Sequence, residues 1–148
     1  MNPFMLPSQD RLEHWKNFRT ELSTFSSDEQ LARVAAYWAL APLSKMAYDI
    51  ERPETWPGPW EMISEGQWCR NSVAIGMECT LRLAGWNSSR LQLAMIRDYD
   101  LSDQVAVVII DDRKLLNYTY SEVADYPDTK HDVVGRWQFS GKFYQPIR

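Results

Sequence analysis

Apolar residues at helical spacing dominate the first part of the chain, and alternating or continuous apolar runs dominate the last part. Leu12, Trp15, Phe18 and Leu22 fall on one face of a 3.6-residue repeat, with Ser8 offering an N-cap and Asp10 suiting the helix dipole. Ser23-Thr24-Phe25-Ser26-Ser27 interrupts that pattern. Ser27-Asp28-Glu29-Gln30 then reads as a capping box for a second helix, from Glu29 to about Leu40. That helix presents Leu31, Val34, Ala35 and Trp38, and Pro42 marks its end. Leu43 to Asp49 reads as a shorter helical or turn segment, and residues 1–7 as an extended arm punctuated by proline.

Between residues 51 and 60 three prolines and a glycine exclude regular structure. Glu61-Met62-Ile63 opens a short helical turn closed by Gly66. From Cys69, Val73, Met77, Thr80, Leu81 and Ala84 restore the helical period, and Gly85 ends it in a left-handed C′ position. A glycine inside this helix, Gly76, costs about 1 kcal/mol against alanine, which implies close approach by another element.

Beyond Gly85-Trp86-Asn87 the period shortens. Leu91 to Ile96 and Gln104 to Ile110 read as strands, the second a buried run, with an acidic loop from Asp98 to Asp103. Asp111-Asp112-Arg113 is a hairpin turn into Lys114 to Tyr118. Thr119 to Asp132 is looser, turning at Tyr126-Pro127-Asp128. Arg136 to Phe139 and Lys142 to Tyr144 flank Ser140-Gly141 as a last hairpin, either an edge of the same sheet or an aromatic arm that docks on a neighbour.

The fold class expected is therefore α+β, with N-terminal helices and a central helix packed on a small, mostly antiparallel sheet. At 148 residues the chain suits one domain with a real core. Its parts divide as arm (1–7), N-terminal helices (8–50), core helix and sheet (51–118), and loop with aromatic hairpin (119–148).

Composition changes this picture in two places. A net charge of −4, with both signs interspersed, excludes the clustered basic face that nucleic-acid binding needs. Seven Trp and seven Tyr are more than a core of this size requires, so part of the aromatic set is expected at a contact surface. Trp56, Trp60, Trp137, Phe139, Phe143 and Tyr144 are the candidates for it. No basic, apolar leader opens the sequence and no run reaches membrane-span length, so no membrane partner is expected.

Cys69 is the sharpest chemical candidate, because a thiol at a helix start meets N–H groups and a dipole that favour thiolate. Cys79 lies ten residues further along the same helix, at ~15 Å, too far for a disulfide. A cysteine nucleophile also needs a base and a group to orient it. Only His14 and His131 exist; His14 reads as a surface side chain, and His131 would have to fold back beside Cys69. The plain alternative is a small buried thiol packed in a helix. Asp98, Asp100 and Asp103 lack the order of a calcium loop, Glu61 and Glu65 are an ordinary helical pair, and no zinc, phosphate or dinucleotide motif appears. No metal or cofactor is expected.

The stretch Trp56-Pro57-Gly58-Pro59-Trp60-Glu61-Met62-Ile63, with Gly66-Gln67-Trp68-Cys69-Arg70-Asn71-Ser72, Ala74-Ile75-Gly76-Met77, Thr80-Leu81-Arg82-Leu83 and Leu116-Asn117-Tyr118, resembles a group of small tailed-bacteriophage proteins. The likeness covers about residues 49–118. The core of that group is similar to the transglutaminase-like cysteine-enzyme fold. The resemblance implies that Cys69 matches the nucleophile position and Asn117 the orienting position. The histidine position, at the start of the Gln104 strand, holds Gln104 and Val105. It further implies a non-enzymatic virion component of neck, tail or baseplate, assembled in the host cytoplasm against other virion proteins and copies of itself. The alternatives are a cysteine hydrolase or acyltransferase using Cys69 with His131, and an early phage protein that binds a host factor.

Overall fold

A computed structural model describes residues 1–44, 52–99, 103–127 and 131–147. The order is α1 (Ser8–Leu22), α2 (Ser27–Trp38), α3 (Pro59–Glu65), α4 (Arg70–Leu83), then strands β1 (Leu91–Asp98), β2 (Asp103–Ile110), β3 (Lys114–Leu116), β4 (Ala124–Asp125), β5 (His131–Phe139) and β6 (Tyr144–Pro146). The strands form one antiparallel sheet in the order β4-β3-β2-β1-β5-β6. This is the α+β architecture expected, with helices packed on one antiparallel sheet.

Helix α4 lies across the sheet, and α2, α1 and α3 pack around it. Leu91, Leu93 and Met95 of β1, with Ala106, Val108 and Ile110 of β2, face it in the main core. Ala94, Ile96, Val105, Val107 and Ile109 face the other way, into a smaller cluster covered by Tyr118, Ala124 and Tyr126. Both faces of β2 are covered, which is why its sequence is a continuous apolar run.

Gly76 sits where a close approach was inferred. A Cβ there would stand 2.4 Å from a ring carbon of Trp38. The C-terminus of α4 closes through Gly85 at φ +112°, with Gly85 N–H donating to Arg82 C=O (3.2 Å) and Trp86 N–H to Leu81 C=O (3.1 Å). Asp111 and Asp112 both adopt φ near +54° at the centre of the tight turn closed by Arg113 N–H donating to Ile110 C=O (2.9 Å), within a three-residue connection from Ile110 to its partner Lys114.

Several expectations change. Ser8 does not cap α1; Pro7 precedes the helix, and Ser8 Oγ donates to Ser64 C=O (2.8 Å). The second cap is Ser26, whose hydroxyl accepts from Glu29 N–H (3.3 Å). Residues 1–7 are not a free arm. Phe4 is buried, its ring 5.0–5.2 Å from those of Tyr37, Trp38 and Trp68, because two aromatics of α2 and one just before α4 leave it an apolar seat. The loose region contains β4 and the start of β5, and the final hairpin is a sheet edge. The segment read from Leu43 to Asp49 lies mostly outside the described residues, as do Asp100 and the end of the Tyr126-Pro127-Asp128 turn.

Candidate functional site around the start of helix α4

Helix α4 begins on Cys69, which is extended (φ −124°, ψ 170°) and buried. Its sequence gives the cap an unusual arrangement. Ser72 stands where a longer acid or amide usually closes a capping box, and its hydroxyl accepts from Cys69 N–H (2.8 Å) and donates to Cys69 C=O (3.0 Å). The thiol itself makes no hydrogen bond among the described residues. On the preceding residue, Trp68 C=O accepts from Ser44 N–H (2.7 Å) and Ser44 Oγ (3.1 Å), tying the chain after α2 to the helix start.

Asn71 and Asn117 fasten the same turn to the sheet. Asn71 Oδ1 accepts from Ala106 N–H (3.3 Å), at the third position after Asp103 in β2. Asn117, at φ +68° just past β3, donates through Nδ2 to Arg70 C=O (2.8 Å) and Ala106 C=O (2.9 Å). The residue placed in the orienting position thus joins helix to strand and orients no imidazole.

Both histidines lie elsewhere. His131 pairs in register with Asp98 at the end of β1. It belongs to the face of the sheet turned away from α4, stacked against Tyr126 (5.9 Å between centroids) and edge-on to Tyr118 (5.5 Å). Its two ring nitrogens are buried and make no hydrogen bond among the described residues. Tyr118 Oη donates to Asp98 Oδ2 (2.5 Å) in the same cluster. The sheet therefore separates His131 from Cys69, and the fold-back that a base at Cys69 would require is absent. A strand residue alternates faces, so its register with Asp98 settles the matter. His14 is on α1, with Nδ1 3.2 Å from Tyr37 Oη. Gln104 is exposed, and Val105 points into the far cluster.

Cys79 sits deep on α4, and burial pushes its thiol up to about 12. Neighbouring Glu78, buried among apolar groups, binds Arg82 through both oxygens (3.0 and 3.2 Å) and accepts from Tyr144 Oη (2.6 Å). The aromatic contact candidates divide. Trp137 is buried, Trp56 packs between Trp137 and Tyr144 (5.7 and 5.1 Å), and Phe139 lies under the Arg82 guanidinium at 3.5 Å. Trp60 and Phe143 keep more than half their surface in solvent, at 51% and 58%. Among the described residues no group of three or more His, Cys, Asp or Glu converges to hold a metal.

A groove of about 510 Å³ opens beside the helix start, between α2, the first two turns of α4 and residues 117–121. Sequence reasoning missed it. Its one visible trace was the apolar Val73 and Met77 at helical spacing, which read equally as core.

No protein-family model matches this sequence, and no curated protein does. Solved structures do resemble it. Calcium-bound Legionella pneumophila LapG superposes with a TM-score of 0.77 at 16% identity, covering 95% of this chain and 80% of that one. EGTA-treated Legionella pneumophila LapG gives 0.76 at 18%, covering 95% and 78%. A further Legionella pneumophila LapG structure gives 0.75 at 18%, covering 93% and 77%. At such identities the likeness is one of fold.

Proposed function

We propose that this chain is a binding module built on a transglutaminase-like frame, acting through protein–protein contacts and not through bond cleavage. The observation that carries this reading is the sheet standing between Cys69 and His131. A thiol that attacks a carbonyl must lose its proton to a base and the leaving amine must regain one. General acid–base help is worth roughly 10²–10⁴-fold, and here no described imidazole or carboxylate reaches the sulfur to give it. Iodoacetamide labelling at neutral pH tests the point. Cys69 is expected to react more slowly than free glutathione, and a rate well above glutathione's would overturn the reading.

A second reading, a cysteine hydrolase or acyltransferase on Cys69, draws support from the fold of its neighbours and from the thiol's place at a helix start beside Asn117. It requires a base brought to Cys69 by a rearrangement or a partner. Release of product from peptide amide or ester substrates that disappears in Cys69→Ala would establish it. The setting in a tailed-phage particle, among other virion proteins and copies of this chain, rests on the likeness of residues 49–118. Mass spectrometry of purified particles checks it, and absence of the chain from them removes it.

A further inference from the structure

We propose that the groove beside the start of α4 docks an extended protein segment presenting a bulky apolar side chain next to a carboxylate. This deepens the binding-module reading and rests on it. The groove's volume of about 510 Å³ lies within the ~300–1,000 Å³ range of ligand sites. Its floor is apolar: Trp38 from α2 and Val73 and Met77 from α4, all nearly inaccessible to water. At its rim Leu43 is 60% exposed and Tyr120 78% exposed. Leu40, 42% exposed, is bonded through its C=O to Asn2 Nδ2 (2.8 Å) and extends the apolar surface near the end of α2. A small metabolite confined to the cavity leaves those side chains in water, whereas a protein segment covers them.

Charge decides the second half of the proposal. Arg70 is the one charged side chain among the described residues lining the groove. Its guanidinium has no hydrogen bond or ion pair among them. It stands in the first turn of α4, which holds no acidic residue and where the helix dipole opposes a cation. Two of the other polar side chains are engaged: the Asn117 amide by Arg70 C=O and Ala106 C=O, and Tyr120 Oη by Ala39 C=O (3.1 Å). Those bonds hold residues 117–121 against both helices, so the groove is formed before anything binds it. One cation on a chain of net charge −4 selects a carboxylate and excludes a nucleic-acid backbone.

The test is titration of ¹⁵N-labelled protein with a panel of acetylated hexapeptides. In each, Leu, Ile, Phe or Trp stands beside Asp, Glu or the terminal carboxylate, and partner peptides carry the amide or Lys instead of the acid. Saturable shifts at residues 70, 73, 77 and 117–121 are expected, with affinity falling at least tenfold for the amide peptides and for Arg70→Gln. Lys16→Gln, an exposed charge change on α1, is expected to leave binding unaltered. The proposal is overturned if no member of the panel saturates, if acid and amide peptides bind alike, if the shifts map elsewhere, or if sedimentation shows a second copy of the chain covering the groove. Cleavage of peptides in the same samples overturns the binding-module reading instead, and leaves the docking chemistry to be judged by the shifts.

Discussion

The middle of α4 and its start use polar groups in opposite ways. Thr80 Oγ1 accepts from Trp15 Nε1 (3.0 Å) and Trp38 Nε1 (2.9 Å), and donates to Gly76 C=O (2.6 Å), so its hydrogen-bonding capacity is full. About three turns earlier, among the described residues, Cys69 has a thiol without a hydrogen bond, Trp68 a buried indole N–H without one, and Arg70 a guanidinium without a partner. A hydroxyl shared by two indoles fixes the crossing of α1, α2 and α4 in one geometry. Of these three only Arg70 lines the groove, and a cation left with spare capacity there is what a binding surface needs; Cys69 and Trp68 are buried behind it. The same helix is a clamp at its centre and an open face at its tip.

The clamp can be broken most sharply at Thr80. Thr80→Val keeps the shape and leaves two buried indole N–H groups unpaired, each costing about 1–3 kcal/mol. A loss of about 3 kcal/mol in denaturant unfolding is expected. A loss below about 1 kcal/mol would show that the two bonds do not hold the crossing. Gly76→Ala attacks the same junction by volume. The new methyl would meet three Trp38 ring atoms at 2.4–2.6 Å, and overpacking of this kind costs about 1–3 kcal/mol, against about 1 kcal/mol gained in helix propensity. A net loss of about 1 kcal/mol is expected, with a shift in tryptophan fluorescence. A stabilised Gly76→Ala protein would mean that Trp38 does not occupy this position.

Part of this clamp was legible in the sequence. A glycine inside a strongly periodic helix implies a close neighbour, and the periodicities of α1, α2, α4, β1 and β2 mark their own elements. The neighbour's identity was not legible, because Trp38 and Gly76 meet only when two helices far apart in sequence cross. Phe4 misled for the same reason: a proline-flanked segment looks like an arm until three distant rings enclose it. β5 was read from Arg136, although it begins at His131, because Asp132 and Gly135 interrupt its apolar pattern and the pairing with β1 shifts register near Met95. At the site, Cys69 at a helix start was legible. The face occupied by His131 was not, since it depends on strand register.

Alkaline pH extends the comparison to the other buried groups of α4's core side. Burial holds the Cys79 thiol neutral up to about 12, against an ordinary value of 9.0, and raises Tyr144 and Tyr37 above the usual tyrosine range. In each case the unfolded chain releases its proton first. Stability is therefore undiminished by these groups below about pH 9, and falls as pH rises above it, by at most ~1.4 kcal/mol per pH unit for each proton. Melting temperatures are expected to be flat from pH 7 to 8.5 and to decline above 9, with a shallower early decline in Cys79→Ala. An unchanged slope in that variant would assign the decline to the tyrosines.

The smallest effect bears most directly on the open end of the helix. Serine is among the best N-cap residues because its hydroxyl accepts from a first-turn N–H, whereas the Cys69 thiol makes no such bond. Cys69→Ser is expected to stabilise the protein by about 0.5–1 kcal/mol, measured as a shift in the urea midpoint at constant slope. The reason is local: Ser72 already satisfies Cys69 N–H, leaving the first-turn donors for the new oxygen. A destabilised Cys69→Ser protein would show that the sulfur is held as an apolar group, and the helix tip would then be packed like the centre. A stabilised one would show that this position carries a thiol that the cap itself does not require. Slow alkylation of the native thiol would then show that the sulfur serves neither the cap nor a nucleophile's chemistry.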